Sequence, residues 1–223
     1  MTDTTHTTGT ADTPDTAQRA PRYSLVLPEG FIELPGGEPT EEKLRALASA
    51  VAVRFGLPED TEIDQGLAGT AAMLMTLGAS AEAGGAHYNA AAVFRSARDE
   101  RRPLMVVVSC FVFDSRRTTR HTAVAALEQY YGNQPGTEVE VVELPAGESV
   151  VTRTATPSTI EVGEEAVEVT NHAVTAWIPG PAVSEILGVS VTSNNTEDWA
   201  DIVDLAQGVF ETVEWLPDED EAD

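Results

Sequence analysis

The sequence predicts an α+β fold in which a mainly antiparallel sheet is flanked by helices. In the middle of the chain, two apolar, β-favouring runs, His87–Phe94 and Leu104–Phe113, are separated by a charged turn, which is the pattern of a long hairpin. Segments with helical apolar spacing lie before and after the run of strands. The connections between strands are short, and short connections favour antiparallel pairing. Together these features are typical of an α/β/α sandwich.

The N-terminal part of this fold is predicted to be a strand followed by two helices. Tyr23–Leu27 has strand character and is followed by a turn rich in Pro and Gly. Thr40 is the predicted N-cap of a helix that ends near Phe55, because apolar residues then recur at helical spacing. The spacing predicts a second helix over Glu62–Ala83, with Gly84 next to its end.

Leu104–Phe113 is expected to be a central strand. Its alternate residues form two sets, and both sets are mostly apolar. A strand with two apolar faces is favoured where helices or loops cover the sheet on both sides.

The C-terminal part is predicted to contain a helix, further strands and a final helix. The first helix is expected over Thr119–Tyr131, and Thr196 is the predicted N-cap of the last, whose apolar stripe runs from Trp199 to Val213. The predicted strands are Glu138–Leu144, Ser149–Thr154, Ala166–Ile178 and Ser184–Thr192. An acidic, polar loop is expected between the second and third of these strands.

The expected domain organisation is one α+β domain between two polar tails. Residues 1–21 are predicted to be a disordered polar tail, residues 22–216 the single domain, and residues 217–223 an acidic tail. The N-terminal segment has no apolar core typical of a signal peptide. No stretch approaches the roughly 18 apolar residues that a membrane span needs. We therefore expect a cytoplasmic protein with no membrane insertion.

Charge is distributed very unevenly along the chain. The formal net charge is -24, and Lys43 is the only lysine. After Arg153 there is no Lys or Arg, whereas the same segment holds sixteen Asp or Glu residues. Because proteins bind nucleic acid by neutralising phosphates with Lys and Arg, this charge argues against nucleic acid as a partner.

Seven of the thirteen basic residues form two groups around the predicted central strand, and these are the candidate protein-binding residues. Ten residues at about 3.3 Å each place the groups roughly 30 Å apart. They either compensate the acidic surface within the molecule or bind an acidic segment of a partner, since arginine matches carboxylates well. The first group is Arg95, Arg98, Arg101 and Arg102, and the second is Arg116, Arg117 and Arg120.

No catalytic, metal-binding or cofactor-binding constellation is found in the sequence. Cys110 is the only cysteine and lies in an apolar run, which favours a buried thiol over a nucleophile. His87, His121 and His172 fall in different elements without zinc spacing, and His6 is in the N-terminal tail. Phosphate-binding loops and nucleophile elbows are absent. We therefore expect no enzyme activity and no cofactor.

Two segments resemble a known family. The entry Tyr23–Pro35, a strand followed by Leu-Pro-x-Gly-aromatic, is similar to the start of the PsbP-like fold family, which includes the LpqN-type proteins of actinobacteria. The C-terminal sequence, a strand ending in small polar residues, a helix and Trp215, also fits that family. Val142–Arg153, in which Leu-Pro-x-Gly is followed by a strand, resembles a segment of related actinobacterial proteins. Some of those proteins are linked to type VII secretion. The resemblance implies an antiparallel sheet between helices and a non-enzymatic binding or accessory role.

The leading hypothesis is a non-catalytic cytoplasmic accessory protein that binds another protein and serves a specialised secretion system. One alternative is a small-molecule-binding or hydrolytic domain whose pocket uses His87, His121 or His172. A second alternative is an acidic immunity or decoy protein that neutralises a basic toxin, in which case binding depends steeply on salt.

Overall fold

A computed structural model of the chain describes residues 23–58, 60–115, 119–162, 165–181 and 184–217. The helices are α1 (Glu41–Arg54), α2 (Gln65–Ala83), α3 (Arg120–Gly132) and α4 (Trp199–Glu211). The strands are β1 (Tyr23–Ser24), β2 (Ile32–Glu33), β3 (Ala86–Arg95), β4 (Pro103–Asp114), β5 (Thr137–Leu144), β6 (Gly147–Val162), β7 (Glu165–Pro179), β8 (Glu185–Ser193) and β9 (Glu214–Trp215).

Seven strands form one antiparallel sheet in the order β2-β3-β4-β8-β7-β6-β5. β1 and β9 pair with each other in a separate two-stranded sheet. The predicted α+β fold is thus confirmed. β4 lies between β3 and β8 and is paired along most of its length on both sides, in agreement with the prediction of a central strand.

One face of the main sheet, the α4 face, carries the larger apolar core. Val106, Val108 and Cys110 of β4 are fully buried there, together with alternate residues of β7 and β8. The α4 helix packs on this face with Ile202 and Phe210. Its apolar stripe therefore covers the sheet as the helical spacing predicts.

The opposite face, the three-helix face, is covered by α1, α2 and α3. Leu47 and Leu74 of the first two helices pack with Ala91 of β3 and Val107 of β4 in a second buried cluster. Farther along the sheet, Tyr131 of α3 stacks on Trp177 of β7. A strip of sheet over β4 and β8 thus lies between the α1–α2 pair and α3.

Side-chain caps fix where three of the helices begin. The hydroxyl of Thr40 accepts from the Lys43 N–H at 3.2 Å, and that of Thr119 accepts from the Thr122 N–H at 3.2 Å. The second helix is capped by Asp64, whose carboxylate accepts from the Leu67 N–H at 2.8 Å. α2 therefore begins three residues later than the predicted start at Glu62.

Two predictions about strands were wrong. Much of the acidic loop expected between Thr154 and Ala166 is strand, because β6 and β7 continue as a hairpin past the last β7–β8 pair, His172 with Ser193. This hairpin projects beyond the sheet, and its described side chains, in residues 155–159 and 166–171, are exposed or partly exposed on both faces. The predicted strand Tyr23–Leu27 is shortened to two residues, which pair with β9 outside the main sheet.

The predicted tails fall largely outside the structure described. The disordered tail expected over residues 1–21 lies entirely outside the described residues. Of the acidic tail expected over residues 217–223, only Pro217 is described.

Candidate functional site

The two predicted arginine groups flank β4. Arg95, Arg98, Arg101 and Arg102 come from the end of β3 and the turn that leads into β4. At the other end, Arg120 begins α3. Arg116 and Arg117 lie outside the described residues. The two ends of β4 differ in the contacts that surround them.

At the first end, Arg102 holds a buried carboxylate in a cluster that we call the arginine clamp, formed by Ser96, Arg102 and Asp198. Asp198 is 1% exposed. Its Oδ2 accepts from Arg102 Nε at 3.0 Å and Nη2 at 2.9 Å, and its Oδ1 accepts from the Ser96 hydroxyl at 2.6 Å. Every carboxylate oxygen thus has a donor, as a buried charge requires.

Further bonds close this end of the strand. Asn195 accepts from the Met105 N–H at 3.2 Å and donates to the Pro103 carbonyl at 3.1 Å. Arg98 pairs with Asp201 of α4 at 3.5 Å, and Arg102 also contacts Glu197. Two of the predicted arginines therefore act within the molecule, as one of the two interpretations of their pattern expected.

The same region corrects the prediction about the start of the last helix. Thr196 does not cap it; its hydroxyl lies 3.0 Å from Nε2 of His172, and Thr196–Asp198 is a short 3-10 helix before α4. Asp198, the residue just before α4, belongs to the arginine clamp, so its carboxylate is bound by the distant Arg102.

Five aromatic rings from β4, β7 and α3 lie near the second end of β4, on the three-helix face. Trp177 is central, with Tyr131 stacked on it at 4.9 Å between ring centroids and Phe113 at 5.9 Å. Phe111 extends the series from Phe113 at 6.3 Å, and Tyr130 meets Tyr131 edge to face at 4.9 Å. Phe113 is 47% exposed and Tyr130 is 60% exposed. Two of the five rings are thus open to solvent.

An open cavity of about 400 Å³ adjoins these rings, between α3 and the ends of β4 and β8. We call the five rings and this cavity the aromatic groove. Tyr130 belongs to both parts, while Ala123, Ala126 and Leu127 give the helical wall small apolar side chains. The walls therefore offer an apolar trough of the kind that a side chain of another molecule can fill.

Two carboxylates stand opposite each other at the edge of the aromatic groove. Asp114 of β4 is the cross-strand partner of Glu185 of β8, and Asp114 lines the cavity. Like charges directly opposite each other in a sheet are unfavourable. Neither carboxylate has an ion pair among the described residues, so a cation placed between them would be stabilised.

Close packing fixes the position of Trp177. A Cβ atom at Gly188 on the neighbouring strand would lie 2.7 Å from the indole ring, so only glycine leaves room for it. The indole N–H donates to the Thr152 hydroxyl at 3.2 Å. Burial raises the pKa of Tyr131, which stacks on Trp177, to about 12, with a smaller contribution from Tyr130.

Arg120, the described member of the second arginine group, is half-buried against β6. Its guanidinium lies so close to Gly147 that a side chain there would overlap it. Gly147 also has a φ of +116°, a conformation that glycine adopts readily. Arg120 therefore packs between α3 and the start of β6.

The three histidines of the alternative hypothesis do not converge. His87 is exposed on β3, and His121 on α3 lies 3.7 Å from Glu148. His172 is buried on the α4 face and stacks on Trp199 at 4.9 Å. Each histidine thus has different surroundings, and among the described residues no three His, Cys, Asp or Glu side chains are grouped to hold a metal ion.

Cys110 is fully buried on the α4 face, as its apolar surroundings predicted. Burial raises the pKa of its thiol to about 11, although a hydrogen bond with Tyr23 acts in the opposite direction. Burial also raises the pKa of Tyr23. A protonated thiol at neutral pH is a weak nucleophile.

Within the described ranges, no helix combines the length and apolar character needed to span a membrane.

Sequence reasoning missed the aromatic groove. The alternation of Leu104–Phe113 did place Phe111 and Phe113 on one face, and the Tyr130–Tyr131 pair stands out at the end of a helix. Their meeting depends on Trp177, more than forty residues farther along the chain. No local pattern signals that contact.

Comparisons with known proteins do not assign a family. No family model matches the chain, and no curated protein sequence matches it. The chain is similar to the crystal structure of LpqN, a Mycobacterium tuberculosis protein involved in cell envelope biogenesis, with a TM-score of 0.39 and 12% sequence identity. The alignment covers 87% of this chain and 83% of LpqN. A likeness at this level does not show a shared family, so membership of the PsbP-like group stays a prediction.

Proposed function

We propose that this chain is a non-catalytic accessory protein that binds another protein through the aromatic groove. The observation that carries the proposal is the set of five contiguous rings, two of which are exposed to solvent, Phe113 at 47% and Tyr130 at 60%. Aromatic residues are enriched where proteins bind each other, because they bury a large area at a low cost in side-chain entropy.

The chemistry of the groove favours a partner segment that carries a Lys or Arg beside apolar residues. Apolar side chains of the partner fill the trough along α3. The cationic side chain lies beside Asp114 and its cross-strand partner Glu185, where it gains ionic stabilisation. The strongly negative net charge of the chain also speeds encounter with a basic partner.

A cytoplasmic location and a link to type VII secretion belong to the same proposal and rest on the sequence alone. The proposal places no partner contact at the predicted arginines: Arg98 and Arg102 pair with carboxylates of the chain, and Arg116 and Arg117 lie outside the described residues.

The test compares two variants that each remove one exposed aromatic ring. Tyr130→Ser changes the aromatic groove, whereas Phe55→Ser changes a ring of similar exposure, 56%, after α1. Tagged protein is used to recover partners from a lysate of the native organism, followed by quantification of each recovered protein. The proposal expects one stoichiometric partner to be recovered by the parent protein and by Phe55→Ser but lost with Tyr130→Ser.

The salt dependence of recovery provides a second readout. If a basic segment binds beside Asp114 and Glu185, recovery falls as salt rises, and Glu185→Gln reduces this dependence. Equal loss with Phe55→Ser and Tyr130→Ser, or no stoichiometric partner at all, would count against the aromatic groove as a binding surface.

A further inference from the structure

β5 forms one edge of the main sheet, and its outer side has no partner strand. Among the described strands, β6 alone pairs with it, from Thr137 with Thr154 to Leu144 with Gly147 and without a shift in register. The strand contains no proline, lysine or β-bulge, which are features that natural edge strands use to prevent further pairing. At the other end of the sheet, β2 is only two residues long. Of the two strands that end the sheet, β5 therefore offers the longer edge.

The β5–β6 turn shows which backbone groups of β5 point outward. Leu144 and Gly147 are cross-strand partners with two residues between them, and the residues that close such a turn are hydrogen-bonded to each other. Successive residues of a strand direct their backbone groups to opposite sides, so those of Glu143, Val141 and Val139 point away from β6. Among the described residues, no backbone group of another element bonds to these three. Their N–H and C=O groups are therefore open to an added strand.

The side chains of β5 point alternately to the α4 face and to the three-helix face. Glu140, Val142 and Leu144 line a cavity of about 230 Å³ between this strand, β6 and α4, so they lie on the α4 face. Val139 and Val141 therefore belong to the three-helix face, where Val141 is 40% exposed. A strand added beside β5 would place its own side chains alternately on the same two faces.

The α4 side of this edge is acidic. Glu138 and Glu140 follow each other on that face of β5, and Glu211 of α4 adds a carboxylate to the cavity wall. Among the described residues of the wall, the one cation is Arg153, which is already paired with Glu140 at 3.3 Å. Glu138 and Glu211 have no ion pair among the described residues. A basic side chain on this face would thus meet carboxylates that are free to pair with it.

The same charges decide between possible occupants of the edge. Antiparallel pairing of β5 with a second copy of β5 would bring the glutamates of the two strands together, and like charges across a strand pair are unfavourable. The net charge of -24 on each copy adds to the repulsion. Glutamates therefore protect this edge against another copy of the chain, whereas a basic strand gains ion pairs there.

We infer that β5 accepts an extended segment of another protein as an additional antiparallel strand, in which basic and apolar residues alternate. The apolar residues lie opposite Val139 and Val141 and bond to their backbone groups. The Lys or Arg residues between them contact Glu138 and Glu140 on the α4 face. In this mode of recognition, main-chain hydrogen bonds give affinity and alternate side chains give specificity. β7 and β6 separate this edge from β8 and the aromatic groove, so the inference does not depend on the function proposed for the groove.

The test is amide hydrogen exchange, measured by NMR on the ¹⁵N-labelled protein with and without an acetylated and amidated peptide of alternating lysine and valine. Without the peptide, the backbone amides of Val139, Val141 and Glu143 are expected to exchange rapidly. At saturation their exchange slows by about tenfold or more, because each gains a backbone acceptor. Non-specific attraction between a cationic peptide and an acidic protein would not protect these alternate amides.

Two further peptides separate strand addition from attraction between charges. The first carries N-methyl groups on its valine amides, which removes the donors that face β5 and keeps the positive charge. The second has glutamate in place of lysine, which keeps the donors and reverses the charge. Neither peptide is expected to slow the exchange of the three outward amides.

Calorimetric titration of β5 variants with the lysine–valine peptide locates the binding. Val141→Pro removes an outward N–H and is expected to weaken binding by about tenfold or more, whereas the control Val141→Thr keeps the N–H and changes affinity by no more than about twofold. Glu138→Gln removes one cross-strand charge pair and is expected to weaken binding about threefold. Its control, Glu62→Gln, removes an exposed carboxylate before α2 and leaves affinity unchanged.

Four results would overturn the inference. The first is unchanged exchange of the three amides at peptide saturation, and the second is equal binding of the N-methylated peptide. The third is an equal loss of affinity with Val141→Pro and Val141→Thr. The fourth is slow exchange without peptide that depends on protein concentration, because it would assign the edge to a second copy of the chain. If Val141→Pro does not fold, the comparison of the lysine–valine peptide with its N-methylated form decides alone.

Discussion

The two ends of β4 have similar groups of arginines in the sequence but differ in the contacts that form around them in the structure. At the start of the strand, Arg102 is bound to the buried carboxylate of Asp198. The side chain of Asn195, which follows β8, is hydrogen-bonded to the backbone of β4. At the far end, aromatic rings are open to water and two carboxylates face each other without a cation among the described residues. The groups at the first end are paired within the chain, whereas the exposed rings at the far end are the proposed binding surface. Similar groups of arginines in the sequence therefore do not imply similar surroundings in the fold.

The largest expected effect comes from breaking the arginine clamp. Arg102→Met leaves Asp198 buried without its cation and is expected to lower the free energy of unfolding by about 3 kcal/mol. Urea denaturation measures this change. The matched control is Arg101→Met, because Arg101 is exposed and has no ion pair among the described residues; we expect a change within about 0.5 kcal/mol. Equal effects of the two substitutions on the free energy of unfolding would show that the arginine clamp does not stabilise the fold.

The next effect concerns the packing of Trp177. Gly188→Ala places a methyl group against the indole ring and is expected to cost about 2 kcal/mol through overpacking. It should also change the near-ultraviolet circular dichroism of the aromatic rings. Gly208→Ala is the control, since a Cβ there meets nothing within 4 Å and α4 gains a better helix former. A neutral Gly188→Ala variant with an unchanged spectrum would argue against the described position of Trp177.

An alkaline titration gives a smaller effect at the same end. Because burial raises the pKa of Tyr131 to about 12, the neutral phenol contributes stability that is fully present below pH 10. Above pH 10 the unfolded state loses this proton while the folded state keeps it, so that stability is lost as the pH rises toward 12. The free energy of unfolding should therefore fall less steeply between pH 10 and 12 in Tyr131→Phe than in the parent. Identical slopes would contradict the burial of this hydroxyl.

The smallest expected effect on stability is at the most exposed ring. Tyr130→Ser should change the free energy of unfolding by no more than about 0.5 kcal/mol, because the side chain is 60% exposed. Thermal unfolding measures the change. A much larger loss would mean that Tyr130 supports the fold, which would weaken its proposed role in binding a partner.

The sequence allowed much of the fold to be predicted because local patterns determine it. The helix caps at Thr40 and Thr119 and the two apolar faces of β4 are local signals, because each is contained within a short run of the sequence. The second half of β6 escaped prediction because the run Thr156–Thr159 is polar and contains Pro157. Strand prediction depends on apolar alternation, which this run lacks, whereas the predicted strand Ala166–Ile178 matches β7.

The candidate sites were harder to predict because they depend on contacts between distant parts of the chain. Arg102 and Asp198 are 96 residues apart, and nothing near Asp198 indicates that it will be buried. The rings of Phe113 and Trp177 come together only when β8 pairs with both β4 and β7. Sequence patterns identified the arginines as noteworthy, but the fold decided which of them became structural.

Site-specific photo-crosslinking compares the two ends of β4 most directly. A benzoylphenylalanine residue is placed at position 130 in one variant and at position 101 in another, and each is irradiated in cells of the native organism. Binding at the aromatic groove predicts a discrete crosslinked protein from position 130 and none from position 101. An adduct from position 101 alone, or the same adducts from both positions, would contradict the division of the molecule into a closed end and a binding end.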